Sequence, residues 1–297
     1  MSRYYGETLV SVTPKHVGIV RAERDGLQVY DCAICGYAHL SKFLPINYRS
    51  DFWQTRKTGE LQHLLDQLDW QNHVYDMLLA ELESMAPQKK LLDAGCGYGY
   101  WLKRAIDRGW TGMGLEPSDE ASAHASELTD NRVIATHWDG WEANGFGAVT
   151  AHWLLEHLPN PESFLDWCHD ALMPFGVLML IVPNEWTQAQ EYANARAMKR
   201  NWWLDPTHYS YFSAESLERL LEASGFTVIR WMGTFPMERY VMKGLDYTED
   251  PAVGRACHRQ VEQSELASSL PELRQRYAIR GARGRDLIAF CKRAGEE

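Results

Sequence analysis

The sequence predicts an α/β protein: a doubly wound, mostly parallel seven-stranded sheet with an N-terminal extension and a helical insertion before the last strand. Three observations predict it. Between Lys90 and Trp231, short apolar runs alternate with amphipathic stretches, the signature of strands linked by helical crossovers. The run GVLMLIVP, from Gly176, is apolar throughout, as a strand covered on both faces has to be. The stretch LLDAGCGYGYW, from Leu91, places an acid and three alternating glycines between a strand and a helix, where open α/β sheets keep their ligands.

Taken in order, GLQVYDCAICGYAHL from Gly26 reads as a strand, a turn around Cys32–Cys35 and a second strand. Leu61, Leu64, Leu65, Leu68, Val74, Met77, Leu78 and Leu82 recur at helical spacing, predicting a helix from Glu60 to about Met85, ended by Pro87. KLLDAG is the first strand of the main sheet and GYWLKRAIDRG its helix, closed by Gly109. TGMGLEPS is the next strand, with Ser118 able to cap the helix DEASAHASEL. NRVIAT and GAVTAHW follow as strands, and Pro161 opens the helix PESFLDWCHDAL where a missing N–H costs nothing. Ser213 then caps SAESLERLLEAS, with Glu215 in the first turn. A full capping box is not expected there, because Ser216 stands where Glu or Gln would. FTVIRW and RDLIAFCKR are the sixth and seventh strands. The expected organisation is an N-terminal extension over 1–88, a main domain over 89–233 plus 285–297, and a helical insertion over 234–284 suited to a lid or an interface.

With 297 residues, 45% hydrophobic, the chain can bury one large core. Its formal net charge of −10 offers no general basic face for phosphates, so no nucleic-acid partner is expected. No apolar run approaches the roughly 20 residues that cross a bilayer, so no membrane insertion is expected. MSRYYGETLVSV lacks the pattern of a secretion signal and the six cysteines are scattered, both pointing to a reducing cytoplasm. A homo-oligomer is compatible with the sequence and not specified by it.

Asp93 closes its strand two positions before Gly95, so its carboxylate is expected at the ligand's edge. It repels a pyrophosphate and attracts a ligand carrying an amino group and a sulfonium. Glu116, in GLEPS, is placed to accept both hydroxyls of a ribose. The glycines at 95, 97 and 99 follow G-x-G-x-G, and the dinucleotide pattern is absent because position 100 is Tyr. A cationic nucleoside with a free diol describes S-adenosylmethionine.

Through LLDAGCGYG, GLEPS, AHWLLEHLPNP and GVLMLIVPN, in that order, the chain resembles the seven-stranded, Rossmann-like class I S-adenosylmethionine-dependent methyltransferases. The resemblance covers about Lys90 to Trp231, with the last strand rejoining near Asp286. It implies that Asp93, Gly95, Cys96 and Gly97 line the methionine end, with Gly99 in the same loop, and that Glu116 holds the ribose. It also implies Asp139 of THWDGW near the adenine amine, with Pro117, Trp138 and His152 completing the cofactor's surroundings. One departure is Gly147, where such enzymes commonly carry Asp. More narrowly, CxxCG-x-x-HL, YFSAESL and FPME resemble bacterial methyltransferases of surface-glycan and secondary-metabolite pathways.

Methyl transfer to a neutral hydroxyl needs a nucleophile held on axis and a base for its proton. His157 in LLEHLPNP and His208 in NWWLDPTHYSYFS are the candidate bases, with Glu156 beside the first; each is weighed against a purely structural histidine. Asp205 is read either as orienting His208 or as capping a turn before Pro206. The favoured acceptor is a small polar molecule, a sugar or metabolite hydroxyl. N- or C-methylation and a non-catalytic cofactor-binding partner are the alternatives. Cys32, Cys35 and His39 offer three metal ligands where structural zinc wants four, and His16 completes the set only by folding back. The preferred reading there is a tight turn with buried thiols and no metal. Cys96 and the pair Cys257–His258 are not read as catalytic.

Overall fold

The structure is a computed structural model that describes residues 16, 18–40 and 65–296. Among the described residues, four elements precede the main sheet: strands β1 (Gly18–Arg24), β2 (Leu27–Cys32) and β3 (Ala38–Leu40), and helix α1 (Leu68–Met85). The predicted positions Leu61 and Leu64 lie outside the described residues, whereas Val74, Met77, Leu78 and Leu82 form the buried stripe of α1. Then follow β4 (Lys90–Ala94), α2 (Tyr100–Asp107), β5 (Thr111–Leu115), α3 (Asp119–Leu128), β6 (Val133–Ile134), β7 (Phe146–His152), α4 (Pro161–Ala171) and β8 (Leu172–Pro183). The chain ends with α5 (Gln188–Asn194), β9 (Ser210–Tyr211), α6 (Ala214–Ala223), β10 (Phe226–Gly233), α7 (Glu238–Met242), α8 (Pro251–Leu266), α9 (Leu270–Arg280) and β11 (Asp286–Arg293).

Seven strands form one sheet in the order β10-β11-β8-β7-β4-β5-β6. β11 runs antiparallel to both its neighbours, and the other pairings are parallel. The unbroken apolar runs are explained by two covered faces. Leu92, Ala94, Val149, Leu178 and Leu180 point into one core with Phe164 and Leu165 of α4 and Leu217 of α6. The alternate residues Leu91, Ala148, Val177 and Met179 enter the other, against Leu78 of α1, Leu102 of α2 and Leu273 of α9. The predicted third strand, NRVIAT, is only two residues long: Val133 and Ile134 are the residues paired to β5, opposite Gly114 and Leu115.

Crossovers of a parallel sheet leave strand carboxyl ends and helix N-termini on one edge, and the local caps fix that edge here. Ser118 accepts the N–H of Ala121 and Asn160 that of Ser163. At α6 the expectation was wrong: Ser213 and Ser216 form a complete capping box, the Ser216 hydroxyl accepting the Ser213 N–H at 2.9 Å. A hydroxyl reaches the cap N–H as a longer carboxamide does, which the residue-type rule overlooked. Gly147, the departure from the common Asp, has its own cause. A Cβ at this position would collide with the Gln88 carbonyl oxygen, so the entry of β7 beside the chain leading into β4 admits only glycine.

Of the helices between β10 and β11, α8 and α9 pack onto α1 and α7 onto α5. Glu81 of α1, 1% exposed, takes ion pairs from Arg230 of β10 and Arg274 of α9, while Trp70 donates to Glu265 of α8 at 2.9 Å. Arg285 joins Glu185, past β8, to Glu238 of α7. Strands β1, β2, β3 and β9 make a second, antiparallel sheet, so the predicted Cys32–Cys35 hairpin is seated on the loop that carries His208. Among the described residues, no helix is long and apolar enough to cross a membrane.

Restoring the common residue, Gly147→Asp, is expected to cost roughly 2–3 kcal/mol of folding stability, because backbone rather than a flexible side chain must move. Urea midpoints at unchanged m-value check this, and a neutral effect would contradict the close approach.

Candidate functional site

The site is built where β4 and β5 end. Gly95, Gly97 and Gly99 all have positive φ, so the loop after β4 turns sharply and delivers the chain to α2. Gly99 is doubly constrained, since a Cβ there would sit 2.8 Å from the Ala125 Cβ of α3. Gly95 and Cys96 donate backbone hydrogen bonds to the Leu115 carbonyl, at 2.8 and 3.0 Å, which fasten the loop to the end of β5. Cys96 turns its thiol inward over Gly114, and burial pushes its pKa well above the ordinary thiol value. A neutral, buried thiol is a poor nucleophile.

Two carboxylates meet at this edge. Glu116, 5% exposed, accepts from the Gly97 N–H and the Ser118 N–H, both at 2.9 Å, so its position is dictated by the glycine loop and the start of α3. Asp93, 2% exposed, accepts from the Thr150 hydroxyl at 2.8 Å, and Trp101 of α2 donates its indole N–H to the same hydroxyl at 3.1 Å. Burial pushes the Asp93 carboxyl up to about 7; the Thr150 hydrogen bond opposes this and the nearby Glu116 charge adds to it. Thr150 and Trp101 were not anticipated. Thr150 faces Asp93 only through the parallel register of β4 and β7, which no local pattern encodes.

A narrow crevice joins Gly95, Leu115, Pro117, Thr136, His137, Trp138, Leu154, His157 and Leu158. It brings together Gly95, Pro117 and Trp138 of the expected cofactor set and one candidate base. Trp138 is held as a wall by Phe164 and Trp167, with ring centroids 5.3 and 5.9 Å away, and Asp139 lies in the same 3-10 turn. His152, at the end of β7, packs on Trp101 at 4.6 Å; burial lowers its pKa to about 3, so it is neutral. A wider cleft of about 870 Å³, lined by Arg21, Tyr37, Glu185, Trp186, Arg219 and Arg283 among others, lies beyond β8 and shares no lining residue with this crevice.

The structure brings Glu156, His157 and His208 together: one ligand atom from each lies within 4.8 Å of the others. Glu156 and His157 sit in a 3-10 turn after β7, both buried. The His157 Nδ1 lies 2.7 Å from the Thr207 carbonyl, so it donates, and Nε2 is the nitrogen that carries the lone pair. The His208 ring packs edge-on against that of His157 with centroids 4.8 Å apart. Asp205 accepts from the Thr207 N–H and hydroxyl, at 2.8 and 2.6 Å, shaping the turn after Pro206. Cys32, Cys35 and His39 lie one layer behind, on the second sheet.

The methyltransferase-domain family model matches residues 65–230, more than half of the chain. This chain belongs to the S-adenosylmethionine-dependent methyltransferases. The methyltransferase is similar to the ubiquinone biosynthesis O-methyltransferase of Agrobacterium fabrum, 28% identical over 156 residues, 49% of this chain and 62% of the relative. The enzyme of the same name from Psychrobacter arcticus is 31% identical over 157 residues, 47% and 59% of the two chains. The human mitochondrial one is 28% identical over 180 residues, 52% and 47%. The alignments thus span about half to three-fifths of these relatives. The plantazolicin methyltransferase BpumL, solved in complex with SAH, shares the fold with a TM-score of 0.52 at 15% identity, over 82% of this chain and 91% of that one.

The residues present fit that cofactor. Two buried carboxylates stand at one edge, and burial raises the pKa of one of them, Asp93, to about 7. A cation beside Asp93 favours its ionised form, so donor binding releases a proton. Affinity for S-adenosylmethionine is expected to rise about tenfold from pH 6 to pH 8, the ratio of ionised Asp93 for a pKa near 7. Calorimetry in buffers of different ionisation enthalpy checks it; the slope should vanish in Asp93→Asn, and a pH-independent wild type would contradict it.

Proposed function

We propose that this methyltransferase methylates a hydroxyl on a small polar acceptor, a sugar or metabolite, with His157 receiving the acceptor's proton. The observation that carries the reading is the Glu156–His157–His208 cluster at the carboxyl edge of the sheet, its first two members buried, with the His157 tautomer set by the Thr207 carbonyl. The relatives' shared name, O-methyltransferase, supports oxygen as the receiving atom.

In this reading Asp93 and the backbone of Gly95 and Gly97 would hold the cationic end of the cofactor, Glu116 the ribose, and Pro117, Trp138 and Asp139 the base. S-adenosylmethionine, when bound, supplies an electrophilic methyl carbon. The chain's own task is to orient the acceptor oxygen and to take its proton. His157 Nε2 accepts that proton. Glu156 lies close enough to stabilise the resulting imidazolium, and burial of both keeps water from competing for the base. His208, packed on His157, would bind the acceptor or hold the base in place.

Two variants separate the roles. Glu116→Ala is expected to weaken cofactor binding about 10–100-fold, by loss of charge-assisted hydrogen bonds. His157→Ala should leave binding intact and lower kcat for an alcohol acceptor by about 10²–10⁴. Cofactor turnover measured across a panel of hydroxylated sugars, phenols and amines provides the assay. Unchanged alcohol turnover in His157→Ala, or turnover with amines alone, would overturn this reading.

A further inference from the structure

The hairpin turn at Cys32 plays no part in the transfer chemistry, and its geometry points to a second site. We propose that His16, Cys32, Cys35 and His39 form a structural zinc site that fastens the chain ahead of β1 to the β2–β3 hairpin. His16 does fold back onto the hairpin. Its Nδ1 lies 3.1 Å from His39 Nε2, 3.2 Å from Cys32 Sγ and 3.3 Å from Cys35 Sγ. All four ligand atoms are within 4.8 Å of one another. Tetrahedral zinc with bonds of about 2.05 Å to nitrogen and 2.3 Å to sulfur sets such atoms about 3.3 Å (N–N) and 3.6 Å (N–S) apart. The three distances from His16 Nδ1 therefore reach zinc values by opening a few tenths of an ångström.

The surroundings prepare the ligands. The His39 Nδ1 donates to the Leu40 carbonyl at 2.7 Å, which leaves Nε2 to face the cluster with its lone pair. His16 Nδ1 carries at most one proton and cannot satisfy three neighbours with it, whereas a divalent cation answers every lone pair at once. The turn is shaped for two sulfurs: the Cys35 N–H donates to Cys32 Sγ at 3.4 Å and the Gly36 N–H to the Cys32 carbonyl at 3.0 Å. Gly36, at φ +73°, then reverses the chain. Four protein ligands close the coordination shell, so the metal is structural, and two thiolates favour zinc over harder cations. Cys32 and His39 are buried; His16 and Cys35, partly exposed, give the ion its entry path.

The site also braces the active edge. His39 stacks on Tyr209 with centroids 5.5 Å apart, the Leu40 N–H donates to the Tyr209 carbonyl at 2.9 Å, and the Tyr209 N–H to the Glu156 carbonyl at 2.8 Å. Zinc held on the hairpin thereby supports the loop beside His157 and His208.

The test is metal analysis of the purified full chain, followed by cobalt(II) titration of chelator-stripped protein. About one zinc per chain is expected, and the cobalt form should show a thiolate-to-metal charge-transfer band with the intense visible bands of tetrahedral coordination. His16→Ala should weaken zinc binding at least ~10-fold in competition with a chromophoric chelator, and His157→Ala should leave it unchanged. In the wild type, stripping zinc should speed amide exchange at Leu40 and β3 and spare β7 and β8. Protein that neither retains nor takes up zinc overturns the proposal, as does a cobalt spectrum without a thiolate band. Zinc lost in His157→Ala but kept in His16→Ala overturns it too, by moving the metal to the other cluster, and unchanged amide exchange removes the structural role.

Discussion

A carboxylate taken out of water at the end of a buried strand costs free energy unless something answers its charge. Asp93 is where the structure meets that constraint. It sits on a sheet covered on both faces, among apolar neighbours, with the Thr150 hydroxyl donating to it and a second carboxylate close enough to raise its pKa. A chain that needed only a tight turn here would gain by losing the acid. Retaining it makes sense when a cation arrives, which is the electrostatic content of a site for a sulfonium nucleoside. The bonds from Trp101 to Thr150 and from Gly97 and Ser118 to Glu116 then serve one end: they hold two carboxyl groups at a fixed edge.

The second part of the site depends on a different sheet. Glu156 and His157 follow β7, but their surroundings come from a loop some fifty residues further on, through the contacts of Thr207, His208 and Tyr209. That loop is in turn shaped by Asp205 and seated on β3. The N-terminal hairpin thus supports the loop beside His157, although it lies outside the stretch matched by the family model. In the proposed function its contribution is rigidity: a base serves proton transfer only if its ring is held in one orientation.

Much of the main sheet was legible because its signals are local. Alternating strands and helices, a continuously apolar run and capping serines each follow from a few adjacent residues, and they put Asp93, Glu116 and the glycines at one edge. The signals that misled were local too. The Ser213–Ser216 capping box was discounted on residue type, and NRVIAT read as a full strand although only Val133 and Ile134 pair with β5. Gly147 looked like a departure without cause until the Gln88 carbonyl beside it explained it.

By itself, the sequence determined the fold class, the glycine loop, and the acidic pair at the sheet's edge, since periodicity and short motifs depend on backbone geometry within a few residues. Tertiary structure alone decided which groups meet across the chain. It set Thr150 opposite Asp93 through strand register, closed His208 onto His157, and returned His16 to the cysteines of the hairpin. Those meetings follow from sheet pairing between segments far apart in sequence, and no spacing rule along one chain contains them.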